Sequence, residues 1–154
     1  MVIGVEFLFG FLSTWGFGVI TNVPRRTLIA SGIVGALAWL VYIFADGWGA
    51  NVIVANLLPG ITVGLFANVE SMLIKTPVNL IFVPAVISLV PGALFYKSME
   101  QLTLGLNMLA MHGLLKTLLI AFSLGIGFII GEVCFRILKP LIRRLIHFRF
   151  NYKK

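Results

Sequence analysis

Residues 75–96 read K-T-P-V-N-L-I-F-V-P-A-V-I-S-L-V-P-G-A-L-F-Y, a run with the length and apolarity of a bilayer-spanning helix that nevertheless carries Pro84 inside it and a Pro91-Gly92 pair further along. Each interior proline removes one i→i−4 hydrogen bond and presses its ring on an upstream carbonyl, at about 3 kcal/mol in an ordinary helix. In hydrocarbon no water takes up the freed carbonyl, so such a break survives only against protein or a wet cavity. Discontinuous helices at membrane depth are also where many secondary transporters bind their solutes. The segment therefore demands a polytopic bundle around it and points toward solute movement.

The remainder of the chain can supply that bundle. Of 154 residues, 60% are hydrophobic and 11% charged, and the mean hydropathy is +1.07; soluble domains carry about 25% charged residues. Five apolar runs, over residues 3–20, 27–45, 51–69, 78–96 and 113–135, each approach the roughly 20 residues that cross the hydrocarbon core. The connectors at 21–26, 46–50 and 70–77 are short, and the longest is 97–112. The expected fold is an all-α integral membrane protein with five transmembrane helices, broken by proline in helices 3 (Pro59) and 4 (Pro84, Pro91). It forms one membrane domain over 1–139, with a basic cytoplasmic tail over 140–154. Glu6 is the only charge before Arg25, so the first run lacks the basic start of a secretory leader and reads as a permanent span.

Charge placement gives orientation. Ten of the twelve basic residues (Arg25, Arg26, Lys75, Arg136, Lys139, Arg143, Arg144, Arg149, Lys153, Lys154) fall in the first and third connectors or after the fifth run; only Lys97 and Lys116 fall on the other side. The positive-inside rule then puts the N-terminus out and the C-terminus in, which five crossings satisfy. The net charge of +7 is gathered at one membrane face, which argues against a nucleic-acid partner. After a break at Pro140, Leu141, Leu145 and Phe148 form an apolar stripe with Arg143, Arg144 and His147 mostly off it. Such an amphipathic helix lies at the interface and holds anionic lipid headgroups, with about 1 kcal/mol per basic residue.

Catalysis has little to stand on. Cys134 is the single cysteine, and His112 and His147 lack metal-ligand spacing. No Ser-His-Asp set, phosphate loop or carboxylate pair is visible, so neither an enzyme nor a cofactor or metal is expected. Small residues recur instead at four-residue spacing, as Ser31 and Gly35, Gly60 and Gly64, Gly127 and Gly131. These pairs let helix backbones approach closely and suggest a tightly packed bundle that also packs on another chain.

Polar groups cluster around the breaks: Asn56, Thr62 and Asn68 on the third run, Asn79 and Ser88 on the fourth. An asparagine in hydrocarbon needs a partner, which is another helix or a solute. Pro59-Gly60 and Pro91-Gly92 repeat one device on neighbouring antiparallel runs, and a half-helix N-terminus so exposed attracts a carboxylate. Kinks that merely shape the bundle are the plain alternative. Arg25, in the Pro24-Arg25 turn at the inner mouth, can hold a carboxylate bidentately, or it can serve as a topology charge like Arg26. Glu6 and Glu70 are the carboxylates that could carry a coupled proton. Glu6 could also pair with Lys116, and Glu132 with Arg136 one helical turn on.

Several of these residues form a recognisable set. Asn22-Val-Pro-Arg followed by Leu28, a helix bearing Gly32, Gly35 and Trp39, and Thr76-Pro77 with Ser88-Leu-Val-Pro-Gly and Tyr96 resemble the threonine/serine exporter family. More narrowly they resemble its split form, in which the small five-helix half is a separate chain. Ser88 stands where that family usually reads proline, and Pro59-Gly60 is not part of its pattern. The resemblance covers nearly the whole sequence except the basic tail. It implies a multi-pass protein of the bacterial inner membrane that exports small amino acids, or dicarboxylates such as succinate, on the proton motive force. It further implies a second membrane subunit carrying the other half. The residues expected to hold a small anionic or zwitterionic solute are Arg25, Asn56, Asn79, Ser88, Pro91, Gly92 and Tyr96. The rival expectation is a non-transporting scaffold whose partner does all the transport.

Overall fold

A computed structural model describes residues 3–151, with side chains described through Leu141. It is helical throughout: α1 (Ile3–Ile20), α2 (Arg25–Gly47), α3 (Val52–Ile74), α4 (Asn79–Val86), a 3₁₀ turn (Ile87–Leu89), α5 (Gly92–Thr103) and α6 (Asn107–Asn151). Four of these, α1, α2, α3 and α6, are long and apolar enough to cross a membrane. The segment Asn79–Leu89 and α5 pass the same test together but meet at 51°, so the spans number five when this bent pair counts as one.

Local chemistry sets the ends. At the close of α1, Asn22 takes a left-handed φ of 55°, and Asn22 and Val23 donate to the carbonyls of Val19 and Gly18 at 3.0 and 2.9 Å. That is a Schellman closure, which satisfies carbonyls the last turn leaves free. Pro24 then prevents continuation and Arg25 opens α2. Lys75 (φ 57°), Gly49 (φ 75°) and Gly105 (φ 76°) end α3, α2 and α5 with the same left-handed step. Asn51 caps α3, its side chain accepting from the Val54 N–H at 2.9 Å.

Packing is carried by small residues. α2 sits centrally, against α1, α3 and α4, while α6 packs on α3 and α5 on α6. The α3–α6 seam interlocks two glycine pairs: a Cβ at Gly60 would lie 2.8 Å from the Leu124 carbonyl oxygen, and one at Gly64 2.6 Å from that of Phe128. From the other side, a Cβ at Gly127 would lie 2.5 Å from the Leu57 carbonyl oxygen. The Gly60/Gly64 and Gly127/Gly131 pairs thus meet each other within one chain. In the α1–α2 seam Gly35 fits against the Thr14 side chain, and Gly32 against Phe11. The buried core joins α2 (Ala30, Val34, Ala38), α3 (Val63, Ala67), α4 (Ile81, Ala85), Leu89 and Leu124.

Four expectations need correction. Helix 3 is not broken: α3 runs through Pro59, whose ring is buried. One missing N–H frees one carbonyl, and the glycine seam clamps α3 to α6 just beyond it, so packing overrides the local preference. Likewise α6 continues through Pro140 as a single helix. At 1.5 Å per residue its 45 residues span about 68 Å, well past the ~30 Å core. The tail's side-chain pattern beyond Leu141 lies outside the described residues. The long connector 97–112 is also helical except for 104–106, because Lys97, Glu100 and Gln101 belong to a helix polar on one side rather than to a loop. Glu6 does not pair with Lys116: its carboxylate accepts the Trp39 Nε1–H at 3.0 Å. The Glu132–Arg136 pair forms as expected, at 2.6 Å on an exposed face.

Candidate functional site

The break in the fourth run falls at one place only. α4 continues through Pro84, whose ring is buried and lies 3.8 Å from a Cβ placed on Gly18 of α1. The 3₁₀ turn then carries the chain to Val90, which is extended (ψ 127°) as a residue before proline must be. Pro91 (φ −77°, ψ 48°) lies between the Val90 carbonyl and the Gly92 N–H that donates to it at 2.8 Å, an inverse γ-turn. α5 restarts from there, with the Phe95 N–H donating to the Pro91 carbonyl at 3.0 Å. The consequence for the carbonyls is direct. Ile87 would be matched with residue 91, which has no N–H, and Ser88 with Gly92, whose N–H is taken by Val90. The 3₁₀ turn itself packs on α1 and α2, with Leu89 buried and Ile87 and Ser88 half-buried.

Hydroxyls around the break behave differently from others in the chain. Thr21, Thr27, Ser31, Thr62, Ser98, Thr103, Thr117 and Ser123 all donate to carbonyls three or four residues back on their own helices. The buried hydroxyls of Ser88 and Thr14, by contrast, have no hydrogen-bond partner. Thr76 Oγ1, in the α3–α4 link, is the third such atom.

At the α1–α2 turn, a groove of about 380 Å³ is lined by Trp15, Val19, Asn22, Val23, Arg25, Leu28 and Ile29. Arg25 and Asn22 are the charged and amide-bearing residues of a lining otherwise made of Trp15 and aliphatic side chains. At the other end of α2 a cavity of about 300 Å³ is lined by Ile3, Glu6, Leu40, Ile43, Phe44, Gly47 and Trp48. Here the Glu6 carboxylate is the charged group, held by Trp39, whose indole stacks on Tyr42 at 5.4 Å.

Of the residues singled out in the sequence, Ser88, Pro91 and Gly92 come together at the break. Tyr96 is one turn further along α5 and 73% exposed. Asn79 is exposed at the start of α4, and Arg25 is exposed at the rim of the groove. Asn56 is buried on the Gly60–Gly64 face of α3, and its Nδ2 donates to the Val52 carbonyl of its own helix at 2.8 Å. Asn68 does the same toward Gly64 at 2.7 Å. Both asparagines are thereby partnered within α3. Glu70 is half-buried near the end of α3.

Thr14 was absent from the sequence reading, although Gly10, Thr14 and Gly18 carry the same four-residue spacing that marked the other seams. All three are buried on one face of α1. The Schellman role of Asn22 was likewise legible in Asn-x-Pro, a left-handed former placed just ahead of a helix stop.

A protein-family model described as "Threonine/Serine exporter, ThrE" matches residues 6–134, from the first turn of α1 into α6. No curated protein and no solved structure matches the chain.

Proposed function

This chain belongs to the threonine/serine exporter family, and on that footing we propose that it is the small membrane half of a two-chain secondary exporter, moving threonine, serine or a small dicarboxylate such as succinate outward at the expense of the proton gradient. A second membrane subunit carries the other half. The observation that supports this reading most is the break at Val90–Pro91, directly after a 3₁₀ turn that packs on α1 and α2 in an otherwise close-packed bundle. Arg25 receives the solute's carboxylate at the inner mouth, the opened segment holds the solute at mid-depth, and Glu6 and Glu70 are the groups available to exchange a proton near the two faces. Basic residues of the tail hold anionic headgroups of the bacterial inner membrane.

Arg25 separates this reading from that of a scaffold. A guanidinium grips a carboxylate through two parallel hydrogen bonds and a lysine cannot. Charged hydrogen bonds are worth about 1.5–3 kcal/mol, so Arg25→Lys lowers threonine and serine export by about tenfold or more, whereas Arg26→Lys leaves it unchanged. The measurement is amino-acid excretion by cells expressing the chain from its own genomic neighbourhood, normalised to membrane-inserted protein and repeated with a protonophore. Wild-type export by both variants would leave Arg25 a topology charge. Export indifferent to the protonophore would remove the proton.

Sidedness has its own test. In a Cys134→Ala background, Gly47→Cys probes the α2–α3 turn and Asn151→Cys the tail. An impermeant thiol reagent added from outside labels the first and spares the second. Labelling of both from the same side would end the five-span topology.

A further inference from the structure

The two orphaned hydroxyls of the bundle interior belong together. α1 and α4 run antiparallel, and Gly18 of α1 lies level with Pro84 of α4, since a Cβ on Gly18 would stand 3.8 Å from the proline ring. One turn back along α1 is Thr14 and one turn forward along the broken helix is Ser88, each about 6 Å further in the same direction. The 3₁₀ turn bearing Ser88 packs on both α1 and α2, and the Thr14 Oγ1 lies in the α1–α2 seam against Gly35. Thr14 is wholly buried, and neither it nor Ser88 makes the bond to its own helix that other hydroxyls here make. A buried hydroxyl without a partner costs about 1–3 kcal/mol.

Beside them are the carbonyls of Ile87 and Ser88, deprived of the following turn by Pro91, at the C-terminal end of the α4–3₁₀ segment where the helix dipole is negative. Two hydroxyl oxygens and two main-chain carbonyls at a negative helix end suit a compact monovalent cation. We propose that Thr14 and Ser88, with the carbonyls opened by Pro91, form a mid-membrane site for such a cation, supplied either by Na⁺ or by the ammonium group of an amino-acid solute. Only the second source rests on the exporter reading above.

The test is direct binding rather than transport, so a failure of export leaves it decisive. Thermal unfolding of the purified full chain in detergent is followed in choline chloride, in NaCl, with serine, and with 3-hydroxypropionate, which is serine without its amino group. At saturation a ligand raises the wild-type midpoint by about 5 °C. Thr14→Val and Ser88→Ala abolish the rise and Thr14→Ser retains it. Thr14→Val without ligand melts at or above the wild-type temperature, because it deletes an unbonded buried hydroxyl. A rise with NaCl identifies the ion; a rise with serine but not 3-hydroxypropionate identifies the ammonium. No rise with either ligand, an equal rise with 3-hydroxypropionate and serine in the absence of any Na⁺ effect, or an undiminished rise in Thr14→Val and Ser88→Ala overturns the site.

Discussion

Replacing Gly131 with alanine destabilises the bundle by about 1–3 kcal/mol, while the same replacement at Gly125, six residues earlier on the same helix, is neutral or stabilising. A Cβ at Gly131 would fall against the Ile61 carbonyl oxygen, 2.8 Å from the Leu65 nitrogen and 2.9 Å from the Gly64 Cα. These are backbone atoms of α3, so no side chain can swing aside. The helices must separate, and with them go the contacts at Gly60, Gly64 and Gly127. At Gly125 nothing lies within 4 Å of an added Cβ, and alanine is the better helix former by about 1 kcal/mol. Gly131→Leu enlarges the clash enough to prevent accumulation of folded protein. Detergent thermal unfolding reads the sign at each site, with Gly131→Ala lower by several degrees and Gly125→Ala level or higher. Equal midpoints for the two alanine variants would mean that α3 and α6 do not meet along these glycines.

Much of this architecture was open to reading before any coordinates. The apolar run at 3–20 ends where α1 ends, at Ile20, because a span bounded by Thr21-Asn22 and Pro24 has little freedom in where it stops. The glycine pairs at 60/64 and 127/131 were visible as spacings, but spacing alone does not say which pair meets which. Three-dimensional packing supplied that answer, and it also explains why α3 stays whole at Pro59. The prolines at 59, 84, 91 and 140 look alike in the sequence. Only at Pro91 does the chain open, where Val90 swings extended and Gly92 follows, with no neighbouring seam to hold the helix through. Asn56 illustrates the limit in the other direction. A polar residue at membrane depth invites a solute, but an amide that reaches the carbonyl four residues back needs none. Thr14 shows the converse, an unremarked threonine left without a partner by the shape of its neighbours.

Pro91→Ala is expected to silence transport while leaving the protein intact. Alanine restores an N–H at position 91 that can donate to the Ile87 carbonyl, and it lifts the steric bar that holds Val90 extended. Gly92 can then turn its N–H to Ser88, and α4, the 3₁₀ turn and α5 straighten from 51° toward one continuous span. Closing the ladder satisfies carbonyls otherwise left free in a medium without water, so expression and melting temperature hold or rise. A kink that merely shapes the bundle has the opposite signature, with assembly impaired and activity per folded molecule preserved.

Efflux from preloaded proteoliposomes carrying the intact wild-type or Pro91→Ala complex, with serine, threonine and succinate as internal solutes and rates divided by the amount of assembled complex, tests the role of the opened helix most directly. The expected result is solute efflux by the wild type that falls to the rate of protein-free liposomes in Pro91→Ala, with the variant at least as thermostable. Wild-type efflux by Pro91→Ala would contradict it, leaving this helix a scaffold and moving the transport path to the second subunit proposed above.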